Sequence, residues 1–222
     1  MKKNVAAVGV VLLMGTVTVA CPSAHAQSHE IYNSLGTEGL GIGYGYALTD
    51  AANVRVEVNG FSFPNNFTAG DLHYDAKLKA AHGALLGDYF PAPDAFPIRL
   101  TAGIFVGDDR IDGTATSQSG TYRINGATVS GAGQSITAQL KFPAVRPYLG
   151  IGFGHNPRVK GLSVAFDAGF AYGKPSVSLN VPPSIAAAAG ASNVSAAEQS
   201  LQAKADHLKF YPILKAAVTY RF

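Results

Sequence analysis

The last fourteen residues, Lys209 to Phe222, constrain the fold more than any other segment. Counting back from Phe222, every second residue is apolar or aromatic: Tyr220, Val218, Ala216, Leu214, Pro212 and Phe210. The interleaved set carries Arg221, Thr219 and Lys215. A period of two places the two sets on opposite faces of a strand. A terminal strand with one wholly apolar face is an aggregation hazard if its edge is free. A barrel closed in lipid has no edge, and it requires apolar side chains outside and polar ones inside. The expected architecture is therefore a transmembrane β-barrel. The ending Val218-x-Tyr220-x-Phe222 also resembles the terminal signal read by outer-membrane barrel-assembly machinery.

The other end of the chain agrees. Lys2 and Lys3 precede an uncharged run from Val5 to Ala20, followed by Ala24-His25-Ala26, a small-x-small cleavage pattern. This predicts a signal peptide over 1–26 and a barrel domain over 27–222. Thr18-Val19-Ala20-Cys21 is a weaker lipidation pattern, since it lacks the usual leucine. Cleavage after Ala26 removes the one cysteine, and with it any disulfide, thiolate nucleophile or cysteine metal site. The net charge of +3 drops to about +1 once Lys2 and Lys3 are gone, so nucleic acid is not an expected partner. Charged residues make up only 14% of the chain, and no later run is apolar enough for a membrane-spanning helix.

Six further segments alternate. Leu40 to Tyr46, Val54 to Val58, Ile98 to Val106, Leu149 to Phe153 and Leu162 to Tyr172 each place aliphatic or aromatic residues in one phase. In the segment from Tyr74 to Leu86, the apolar set Ala76, Leu78, Ala80, Ala84 and Leu86 is assigned to lipid. That choice leaves His82 anomalously on the lipid side, either tolerated there or marking a bulge. Short connections at 49–53, 91–97 and 155–160 alternate with longer ones at 64–72, 112–135 and 178–207, as periplasmic turns alternate with extracellular loops. A periplasmic C-terminus and a secreted N-terminus require an even strand number. An eighth strand over His29–Gly36, with a turn at Glu38-Gly39, follows from parity rather than from pattern. Ser195-Ala-Ala-Glu198 reads as a capping box opening a short helix in the last long loop. The predicted fold is an eight-stranded antiparallel transmembrane barrel, monomeric and set in outer-membrane lipid. Aromatics near both sets of turns would form its interfacial girdles.

The inward phases then collect Arg55, Lys77, Lys79, Arg99, Lys141, Arg146, Lys215 and Arg221 against Glu57, Asp75 and Asp167. Arg55, Glu57, Lys77, Lys79, Arg99, Arg146, Asp167 and Lys215 are the candidate lumen-lining residues. They can form either a salt-bridged plug or a basic lining that prefers anions. An eight-stranded barrel is just wide enough for side chains to fill, which favours the plug.

Arg146-Pro-Tyr-Leu-Gly-Ile-Gly-Phe-Gly154, Gly173-Lys-Pro-Ser-Val-Ser-Leu179 and Lys209-Phe-Tyr-Pro212 resemble the small outer-membrane barrels of the CarO type. The resemblance implies an eight-stranded monomer connected with uptake of small solutes, basic amino acids such as ornithine among them. A basic lumen would repel such cations. OmpW-like barrels, which pass small hydrophobic molecules sideways into the membrane, are the neighbouring resemblance. The expected function is a narrow porin-like channel for small solutes; the alternative is a non-conducting structural or surface-interaction barrel. No enzyme, metal or cofactor is expected. His29, His73, His82, His155 and His207 form no His-x-Ser pair on a strand and no ligand spacing.

Overall fold

The computed structural model describes residues 29–222. The expected signal segment, its cleavage after Ala26, and Cys21 lie outside the described residues. The elements in chain order are β1 (His29–Gly36), β2 (Gly39–Thr49), β3 (Ala52–Ala69), β4 (Leu72–Tyr89), β5 (Ile98–Gly107), β6 (Arg110–Ser117), β7 (Thr121–Ile124), β8 (Ala127–Ser130), β9 (Ser135–Lys141), β10 (Val145–Phe153), β11 (Gly161–Tyr172), β12 (Ser176–Asn180), α1 (Pro183–Ala189), α2 (Ala191–Ala205) and β13 (Phe210–Arg221).

Eight strands pair antiparallel in the closed order β1-β2-β3-β4-β5-β10-β11-β13, and β13 returns to β1. The strand inferred from parity is present over the predicted residues and is the one that closes the ring. Its register sets Glu30 opposite Arg221 and Gly36 opposite Lys215. Closure satisfies every strand edge inside the band, which a membrane demands. Among the described residues no helix is long and apolar enough to cross a membrane.

The outward positions form the apolar belt. Leu40, Ile42, Val56, Val58, Leu100, Leu149, Ile151, Leu162, Leu214 and Val218 are all exposed, an apolar surface more extensive than water-soluble monomers ordinarily show. Inside, small residues on one strand make room for large ones on the next. Gly43 of β2 lies opposite Tyr32 of β1, and a Cβ at Gly43 would stand 2.1 Å from the Tyr32 ring carbon Cζ.

On β4 the phase differs from the sequence expectation. Ala80, His82, Ala84, Leu86 and Asp88 are buried inside the ring, whereas Leu85 and Tyr89 face outward. The pairing of β3 with β4 runs without a register shift, so no bulge is involved. The reason lies in packing: Ala84 and Leu86 join Phe105, Tyr148 and Ile213 in an apolar cluster within the lumen. An apolar phase therefore does not identify the lipid side in a barrel this narrow.

Beyond the ring, β3 and β4 continue into a five-stranded sheet in the order β3-β4-β6-β9-β12. The helical layer, two helices rather than one, lies in the last long loop. The expected capping box falls inside α2, which begins at Ala191. The Glu198 carboxylate instead accepts the Leu179 N–H at 3.3 Å, and the Gln202 side-chain oxygen accepts the Val177 N–H at 2.8 Å. Both bonds occupy donors on the outer edge of β12, an edge that would otherwise be open.

Gly43→Ala must displace the Tyr32 ring. Over-packing of this kind costs about 1–3 kcal/mol, and urea titration of the refolded protein should detect it. Gly45→Ala is the control: its nearest neighbours would be 3.5 Å away, and stability should stay within about 0.5 kcal/mol.

Candidate functional site

The interior of the ring is charged, buried and cross-linked. Among the described residues, Arg55, Arg99, Arg146, Lys215 and Arg221 are buried with Glu30, Glu38, Glu57, Asp88, Asp109 and Asp167, and with His82 and His155. Taking charge out of water is costly unless partners are supplied at hydrogen-bond distance. Here they are supplied from across the barrel, at two levels.

The lower level sits toward the short-turn end. Arg55 donates to Asp88 through Nε at 2.6 Å and to Asp167 through Nη2 at 3.3 Å. Arg99 donates to the same two carboxylates, at 3.1 Å to Asp88 and 2.5 Å to Asp167. Thr101 adds a hydroxyl donor to Asp88 at 2.7 Å. Four strands (β3, β4, β5 and β11) thus meet on two arginines and two aspartates. Below them, Glu30 accepts from Arg221 at 2.9 Å and pairs with His155 Nδ1.

His155 belongs to the turn that follows β10. It holds a positive φ of 54°, and Gly154 before it has φ 79°. This unusual backbone turns the imidazole into the ring, against Tyr32 at a centroid distance of 4.7 Å. Its carbonyl accepts from Asn53 at 2.5 Å and from Arg221 at 3.2 Å. The turn therefore caps the lower mouth.

The upper level is a chain of side chains. Glu57 accepts from the Tyr32 hydroxyl at 2.8 Å, from Asn59 at 2.9 Å and from Lys215. Lys215 also lies 3.3 Å from Glu38. Glu38 stands 2.9 Å from His82 Nε2, and His82 Nδ1 is 3.0 Å from Asp109, which pairs with Arg146. On one wall the apolar cluster around Phe105 lies beside this chain, with His82 at 5.2 Å from the Phe105 ring.

Of the candidates named from sequence, Arg55, Glu57, Arg99, Arg146, Asp167 and Lys215 point into the ring. Lys77 and Lys79 do not, which corrects their assignment as lumen-lining. They sit on the outer face of the extension sheet, where Lys79 lies 3.6 Å from Asp112. Lys141 and Asp75 are likewise exposed outside. There, hydrogen bonding from Gln139, and after it from Arg110, holds the Asp112 carboxyl below its usual range.

Four acids were missed. Glu30 follows directly from accepting β1 as a strand, because it shares a face with Tyr32 and Ser34. Asp88 shares the β4 phase of His82, the residue that signalled the wrong choice. Glu38 sits in a turn and Asp109 in the break between β5 and β6, where alternation carries no information. With them the interior holds, among the described residues, six acids against five Arg and Lys with two histidines, and the expectation of a strongly basic lumen is overturned. Val218 and Tyr220 face outward, while Phe222 stacks on His29 at 5.9 Å where β13 meets β1. Among the described residues no group of three or more His, Cys, Asp or Glu is placed to hold a metal ion.

A closed ring with an apolar exterior and an ion-paired interior is a small β-barrel of the outer-membrane type. Among solved structures, Acinetobacter baumannii CarO matches at 19% identity and a TM-score of 0.57, over 87% of this chain and 97% of that one. CarO2 of the same organism matches at 18% identity and 0.58, over 88% and 98%. The likeness is one of fold. No protein-family model and no curated protein sequence matches the chain.

Replacing Lys215 by Met leaves Glu57 and Glu38 buried without the cation they share. Loss of one partner from a buried pair costs about 3–5 kcal/mol. Urea unfolding of the refolded barrel should show a loss of that size for Lys215→Met. Lys77→Ala, on the exposed outer face, should change stability by no more than about 0.5 kcal/mol.

Proposed function

We propose that this chain is a non-conducting, non-enzymatic barrel of the outer membrane, anchored in lipid as a monomer, whose working part is the sheet and helical layer above the ring. The observation that carries this reading is the interior itself: at both levels the charged side chains bond to each other across the lumen. A permeant ion would have to break several such bonds in a space with little room for replacement water. Above the ring, by contrast, a sizeable domain with its own packed cluster (Tyr122, Ile124, Val129, Ile185 and Ala189) has been built. A pore needs no such structure; a surface-interaction module does.

The second reading, a narrow channel for small solutes, is favoured by one observation. Arg55 Nη1, Asp167 Oδ2, His155 Nε2 and Arg221 Nη1 are buried without protein partners. Buried polar groups left in this state are usually served by water, and a file of such waters would be the start of a path. Because acids and bases inside are nearly balanced, a channel of this kind would discriminate little by charge, in place of the anion preference expected from sequence.

Planar-bilayer recording on refolded protein separates the readings. Barrel folding is verified by its altered gel migration before and after heating. The proposal predicts no unitary conductance from folded protein in simple salt. Reproducible current steps that scale with the folded fraction would sink it.

A further inference from the structure

The sheet above the ring is built inside out relative to the belt below. On β3 the inner face carries Arg55, Glu57 and Asn59 as far as Gly60, and then Phe61, Phe63 and Phe67, with Asn65 the one polar exception. The outer face changes in the opposite sense, from Val54, Val56 and Val58 to Ser62, Pro64, Asn66 and Thr68. The register extends this inversion across all five strands. Phe63, Leu78, Ile111, Leu140 and Val177 form one inner row. The adjacent outer row is Pro64, Lys77, Asp112, Gln139 and Ser178. A sheet with water on one side and apolar residues on the other is made to cover something apolar.

Only part of that inner face is covered. The helical layer and the β7–β8 hairpin pack on Leu72, at the top of β4, and on Ile136 of β9. Near β3, Phe63 remains 60% exposed and Phe67 47%, with Phe67 stacked on Tyr74 at 5.0 Å. This uncovered shelf lies beside a gap in the wall. β1 and β2 stop at Gly36 and Gly39, while β13 continues upward from Lys215 to Phe210 and β3 from Gly60 to Ala69. The notch is two strands wide, and its sill is the Thr37-Glu38 turn.

Below the sill, Leu35 and Leu40 face outward in the lipid belt, each 63% exposed. Just above it, Phe61 crowds Gly39: a Cβ there would be 2.8 Å from the Phe61 side chain. The outward Leu35 and Leu40 and the shelf residue Phe61 thus come together around Gly39, beside the polar Thr37-Glu38 turn. We infer that the shelf of Phe61, Phe63 and Phe67 takes up a hydrocarbon chain of an outer-leaflet lipid, entering sideways through the notch above β1 and β2.

A lipid chain suits this place for two reasons. The notch opens onto the belt, so the occupant can arrive without crossing water. The shelf bears no charge and only Asn65 as a polar side chain, so it selects for hydrocarbon rather than for a headgroup. The chain exchanges one apolar environment for another, and the exposed phenylalanines lose their contact with water. This inference rests on the reading that the domain above the ring is the working part.

The chain contains no tryptophan, so a single substitution supplies a clean reporter. Phe63→Trp is reconstituted in phosphatidylcholine vesicles brominated midway along the acyl chains, which quench by contact, and in unbrominated vesicles. Leu149→Trp, in the belt, marks full quenching. Ser62→Trp, at the same height but on the outer face, marks a residue in water. Quenching at position 63 close to that at 149, with little at 62, is the expected result. Equal weak quenching at 62 and 63 overturns the inference, and so does equal strong quenching, which would mean only that β3 is immersed. Bilayer recording on the same Phe63→Trp protein keeps the tests distinct: conductance would defeat the functional reading, whereas loss of the quenching difference defeats the lipid shelf alone.

Discussion

Everything inside this barrel follows from the cost of burying charge. Eight strands enclose too little space for bulk water, yet the interior holds five fixed cations and six carboxylates among the described residues. Each must therefore find its partner on another element of the ring. Asp167 of β11 receives both Arg55 of β3 and Arg99 of β5. Glu57 of β3 receives Lys215 of β13. These pairs act as cross-braces. They link strands far apart in sequence, they hold the ring closed, and in the same act they fill it.

The lipid boundary explains why the pattern reverses higher up. Within the band the outer face meets hydrocarbon and must be apolar. Above Gly60 the outer face meets water, and Ser62, Pro64, Asn66, Lys77 and Asp112 appear there. The inner face becomes apolar at the same height, because the helical layer must pack on something. One set of continuous strands thus belongs to two proteins in the physical sense, a membrane barrel below and a small water-facing domain above, with the turn of β1 and β2 marking the border.

Much of this was legible from residue order, and the rest was hidden for definable reasons. Alternation on β13 identified Lys215 and Arg221 as inward, and strand parity demanded β1 although its own pattern is poor. Alternation could not separate lipid-facing from core-facing alanine and leucine on β4, where both faces touch apolar material. It was silent at Glu38 and Asp109, which reach the interior from a turn and a strand break. The apparent surplus of positive charge arose from these omissions together with Lys77 and Lys79, which lie on β4 before that strand descends into the ring. The ion-pair partners are long-range facts, 68 residues apart for Arg99 and Asp167, and no local pattern encodes them.

The central claim is that charges couple across a dry lumen rather than sitting solvated on the wall of a pore. A double-mutant cycle on Arg99→Ala and Asp167→Ala, read by urea unfolding of the refolded barrel, measures this coupling directly. Contacting buried groups give interaction energies of about 0.5–3 kcal/mol, and the account predicts a value in the upper half of that range. A coupling energy of about zero, as is common for solvent-screened pairs, would contradict it.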